Sequence, residues 1–129
     1  MIDYDKLLQS IPEGLNQIEI ARFLYIELGK YFIYDDEFVS SEDMNRRQEI
    51  ASKNIDDIKN NKVVCFTLSR IYTELLNRCG IQAETYYIPA DPNNPKDLGH
   101  ACTKITIDGK VAFPSLILDL TNIKVGFKT

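Results

Sequence analysis

The feature that most constrains this chain is a change of hydrophobic period at Gly80. Before it, Leu68, Ile71, Tyr72, Leu75 and Leu76 recur at steps of three and four with no proline between them, which predicts an amphipathic helix from Cys65 onward. Gly80 supplies the permissive residue just past the end, and Arg78 sits where a cation suits the helix dipole. After it, Ile81-Gln82-Ala83-Glu84-Thr85-Tyr86-Tyr87-Ile88 alternates as a strand does. The start of the helix is the unusual part. Cys65 stands in the first turn, behind Val63-Val64 and the polar run Asn60-Asn61-Lys62. Free backbone N–H groups and the positive end of the dipole meet there, so a thiol is expected to ionise more readily than in water. The same amides suit the oxygen of a tetrahedral intermediate. Cys65 is therefore a candidate nucleophile; the competing reading is a small buried hydrophobe.

Composition narrows the function classes. The chain has 129 residues, one domain's worth and enough to bury a core, with 44% hydrophobic and 26% charged residues. A net charge of -4 without a basic stripe gives no footprint for nucleic acid. No apolar run approaches bilayer-spanning length, and Met1-Ile2-Asp3-Tyr4-Asp5 lacks the basic start and apolar stretch of a signal peptide. Gly126-Phe127-Lys128-Thr129 ends the sequence without a capping element, so a segment excised from a longer chain is expected, and the compartment stays open. Three cysteines, 65, 79 and 102, make no disulfide framework and suit a reducing compartment. With no C-x-x-C pair and a single histidine, neither zinc nor another metal is expected.

The N-terminal part, about 1–60, reads as helical. Asp3 to Ile11 is a short helix or extended arm closed by Pro12. Leu15 to Phe32 is the longest periodic segment, with Ile18, Ala21, Leu24, Tyr25 and Leu28 on one face, and reads as a core helix. Asp35-Asp36-Glu37 reads as a turn or loop. Ser40-Ser41-Glu42-Asp43 has the character of a helix start, and Met44 to Ile58 reads as a solvated helix of mixed charge. There are no repeats and no linker-like run.

The remainder, about 61–125, carries the candidate chemistry. Pro89 to Asp97 is a loop with three prolines and two asparagines. Gly99 ends it, and the only histidine, His100, opens a second strand through Ile107. Asp108-Gly109 is a hairpin signal, Lys110 to Phe113 the returning strand, and a final extended piece near 117–121 carries Asp119. A cysteine nucleophile needs a base, and the base needs a third group to orient it. His100 is the histidine available, and neighbouring strands about 4.8 Å apart allow an aspartate on one to reach an imidazole on the next.

In this order the chain resembles the transglutaminase-like superfamily, whose papain-like fold includes transglutaminases, bacterial cysteine peptidases, deamidases and peptide N-glycanases. Val64-Cys65 with its helix ending Asn77-Arg78-Cys79-Gly80-Ile81-Gln82-Ala83 is similar to the family's nucleophile block. Gly99-His100-Ala101 is similar to the histidine block, Asp108-Gly109-Lys110 to the turn after it, and Asp119-Leu120-Thr121 to the family's Asp-x-Thr. The resemblance implies Cys65 as nucleophile, His100 as general base and acid, and Asp119 as orienting carboxylate. It implies an α+β fold: N-terminal helices on a small antiparallel sheet, with the cysteine opening the central helix. Cys102 stands where many relatives carry tryptophan, and Val111-Ala112-Phe113 replaces the hairpin tryptophan, so the acyl-binding slot is expected to differ.

The chemistry so implied is acyl transfer through a thioester on a protein or peptide substrate, without cofactor or metal. Water gives proteolysis or glutamine deamidation, and a lysine gives crosslinking. Hydrolysis is the expectation, because a small domain with a solvent-facing loop before His100 has little means of excluding water. The alternatives are transglutaminase-type crosslinking and an inactive interaction module of a larger protein. Cys79 and Cys102 read as packing residues, with Cys102 on the same strand face as His100.

Overall fold

A computed structural model describes residues 3–53, 58, 60–95 and 97–113. Helix α1 (Tyr4–Gln9) is followed by α2 (Gln17–Tyr31), strand β1 (Ile33–Tyr34), α3 (Asp36–Ser40) and α4 (Met44–Ala51). Then come β2 (Lys62–Val63), α5 (Cys65–Arg78), β3 (Gln82–Ile88), β4 (His100–Ile107) and β5 (Lys110–Ala112). The strand expected at 117–121 lies outside the described residues.

Helix α2 starts on a reciprocal capping box. Asn16 accepts from the Glu19 amide at 2.9 Å while Glu19 accepts from the Asn16 amide at 3.1 Å. It buries Ala21, Leu24, Tyr25, Leu28 and Gly29. Those residues meet α5, which buries Leu68, Ile71, Tyr72, Leu75 and Leu76. Each such aliphatic side chain contributes about 1.5–3 kcal/mol by leaving water. The two helices are also pinned by polarity: the buried Tyr72 hydroxyl donates to the Ala21 carbonyl at 2.6 Å. The Tyr25 and Tyr72 rings meet edge to face at 6.1 Å.

The other side of α5 carries an antiparallel sheet in the order β3-β4-β5. Its register pairs Ile88 with His100, Tyr87 with Ala101, and Ile107 with Lys110. Asp108 (φ 52°) and Gly109 (φ 76°) are both left-handed, the geometry of a tight hairpin whose twist matches its strands. The architecture is thus α+β, as expected, with α5 as the layer between α2 and the sheet.

Three local features differ from the sequence reading. Asp35-Asp36-Glu37 is not a loop. Asp35 is the N-cap of α3 and accepts from the amides of Glu37 and Phe38, so the acidic run reads as a turn only because its first member is a cap. Helix α4 starts on Asp43 as cap and ends at Ala51, short of Ile58. Residues 33–34 and 62–63 form a small parallel pair, which two-residue strands give no period to reveal. Asn60 (φ 56°) and Asn61 (φ 58°) make the left-handed turn into it, a conformation asparagine tolerates. The pair, with Asp35 N–H donating to the Val63 carbonyl at 2.8 Å, fixes the backbone two residues before Cys65.

Candidate active site

Cys65 is the first residue of α5, as expected, and is 4% exposed. Val64 is the N-cap, in extended conformation (φ -115°, ψ 170°), and caps no amide with its side chain. The first-turn amides are therefore left for other acceptors. The nearby backbone amides of Ala101, Phe66 and Cys65 itself favour its thiolate. Burial nevertheless outweighs them and pushes the thiol up from its ordinary value. This corrects the expectation of an easily ionised thiol. A helix terminus lowers a cysteine's pKa only where desolvation does not exceed it.

The Ala101 amide joins the two halves of the candidate site. Ala101 follows His100, so the sulfur at the start of α5 meets the start of β4. His100 is half-buried and pairs with Ile88 on β3. Its position depends on Gly99, whose φ is +83° and whose hypothetical Cβ would lie 2.6 Å from the Ile88 carbonyl oxygen. Only glycine lets the chain pass that close. Asp97 steadies the same loop, accepting from the Gly99 and Asp91 amides at 2.8 Å each. Those two bonds hold its carboxyl below the usual value.

The strand pleat sorts the neighbours. Thr103 and Thr85 reach Thr73 of α5 through their hydroxyls, so Thr103 and Ile105 face the helix, whereas Cys102 and Lys104 alternate onto the other face; among the described residues no hydrogen bond joins His100 to Cys65. Cys102 is buried, and its thiol is pushed up first by desolvation and then by the nearby Cys65 charge. Cys79 is the C-cap of α5, half-buried and packed against the main core. Asp119 lies outside the described residues. A groove lined by Gln48, Ser52, Phe66, Arg70, Tyr87 and Leu98 includes the residue after Cys65 and the residue two before His100. Arg70 is fixed there by donating to the carbonyls of Phe66 (3.3 Å) and Lys53 (3.1 Å).

Sequence reasoning missed the hydroxyls that join helix to sheet. Thr103 donates to the Ser69 carbonyl at 3.0 Å, and Thr73 lies 3.1 Å from both Thr103 and Thr85. The available signal was a pair of small hydroxyl residues, Ser69 and Thr73, four apart within an amphipathic helix. Among the described residues no group of three or more histidines, cysteines and acids is arranged to hold a metal, and no helix is long and apolar enough to cross a membrane.

These elements define an α+β domain. The chain is similar to a solved structure described as "Crystal structure of a TGase", with a TM-score of 0.64 and 15% identity. The match covers 88% of this chain and 30% of that one, so the chain spans under a third of the length of the structure it resembles. No family model and no curated protein matches it.

Proposed function

We propose that this domain is a cysteine-dependent acyl-transfer enzyme acting on peptide bonds or glutamine carboxamides, with hydrolysis as the outcome. What supports the reading is the effect of the Ala101 amide on the Cys65 sulfur, which relates the helix-opening cysteine to the strand that begins with the only histidine. Cys65 gives its proton to His100 and attacks the acyl carbon. The uncapped first-turn amides receive the oxyanion, and the C–N bond breaks as the imidazolium protonates the departing amine. Water then attacks the thioester, His100 takes its proton, and the C–S bond breaks to return the thiol. Asp119 orients His100 in this reading.

The chemistry is tested by incubating the full chain with casein and glutamine-containing peptides. Ammonia release indicates deamidation, new amino termini indicate proteolysis, and capture of a fluorescent primary amine indicates crosslinking. Activity that vanishes in Cys65→Ala supports the reading, and activity unchanged in that variant removes it. A second reading, an inactive interaction module, draws on the burial of Cys65 and on the exposed side chains Tyr86, Ile88, Val111 and Phe113 of the sheet. It predicts none of the three products.

A further inference from the structure

Ser69 stands one turn after Cys65 on α5, and its hydroxyl oxygen is fully buried with no hydrogen-bond partner. A serine inside a helix commonly donates to the carbonyl four residues back, and here it does not. The hydroxyl network alongside passes it by: Thr73, Thr85 and Thr103 bond one another, and Thr103 reaches only the Ser69 carbonyl. An unpaired buried hydroxyl costs stability and asks for an explanation. Helical side chains lean toward the N-terminus, and residues four apart share a face, so Ser69 lies on the face of α5 that Cys65 opens.

We propose that Ser69 is a positioning residue whose hydroxyl donates to the Cys65 sulfur when that sulfur is a thiolate, holding it against the Ala101 amide. The inference rests on Cys65 being the nucleophile. The hydroxyl bonds nothing in the structure, the sulfur included, and a thiol is a weak acceptor; ionisation makes the sulfur a strong one and draws the hydroxyl to it. Cys102 and His100 belong to the same end of β4, and Arg70 is turned to the Phe66 and Lys53 carbonyls. Asp35 caps α3, and Lys62 pairs with Asp36 at 3.1 Å.

The test is the rate of Cys65 alkylation by iodoacetamide in the full chain from pH 6 to 10, resolved by mass spectrometry. Ser69→Ala should melt no lower than wild type, since it removes an unpaired hydroxyl. Its alkylation midpoint should rise by about one pH unit, a roughly tenfold loss of thiolate at neutral pH. Ser69→Thr, which keeps a donor, should return the midpoint toward wild type. An unchanged midpoint in Ser69→Ala, or a variant that loses its fold, assigns the hydroxyl to packing and overturns the inference while leaving Cys65 as nucleophile. A wild-type Cys65 that resists alkylation at every pH overturns both.

Discussion

Thr103 on β4 donates its hydroxyl to the carbonyl of Ser69 on α5 at 3.0 Å, tying sheet to helix one turn below Cys65. Both residues are fully buried, so the bond is screened from water and fixes how far β4 stands from the helix that opens on the cysteine. The distance between Cys65 and the start of β4 is thus set by packing and hydroxyls within the fold.

Thr103→Val keeps the shape and removes the hydroxyl. It should cost about 1–3 kcal/mol, because the Ser69 carbonyl and the Thr73 hydroxyl each lose a buried partner. Urea denaturation measures this. A loss below about 0.5 kcal/mol would show that the network contributes nothing net.

Gly99→Ala places a Cβ 2.6 Å from the Ile88 carbonyl in a left-handed conformation, so the strand start must move. The variant should lose at least about 1 kcal/mol, and any Cys65-dependent turnover should fall by more than that stability loss explains. Gly80→Ala is the control. Its φ is +76°, but nothing lies within 4 Å of the added carbon, so it should cost stability without affecting turnover in the folded fraction. Equal effects on turnover from both would detach Gly99 from the site.

Legibility in the sequence followed the length of each element. α5, β3, β4 and the Asp-Gly hairpin were readable because seven to fourteen residues of clear period, or a turn dipeptide, mark them. β1 and β2, two residues each, were not, and α3 was hidden in an acidic run whose first residue is a cap. At the site, Cys65 at the helix start and His100 at the strand start were legible from those boundaries. Desolvation of the sulfur, the Ala101 amide and the unpaired Ser69 hydroxyl arise only when α5 lies on β4, a relation no local pattern carries.

Alkaline pH should weaken the fold. Burial raises the thiols of Cys65, Cys79 and Cys102 above their ordinary 9.0, and desolvation raises the hydroxyls of Tyr25 and Tyr72 above 10.0. Below pH 9 the thiols are protonated in both states, and their contribution is fully present. Above it the unfolded chain ionises first, so stability is lost as pH rises through the folded-state values. The urea midpoint should fall as pH rises above about 9, and less so in Cys102→Ala. A midpoint flat across that range would contradict the burial of these groups.

The most direct test of Cys65 as an acyl-accepting nucleophile is a peptide whose glutamine carboxamide is replaced by a diazoketone, incubated with the full chain and followed by intact and peptide-resolved mass spectrometry. The account predicts a single covalent adduct on Cys65, none on Cys79 or Cys102, and adduct formation slowed about 10²–10⁴-fold in a folded His100→Ala variant. An adduct on Cys79 or Cys102 instead, or one on Cys65 forming at the same rate without His100, would contradict it.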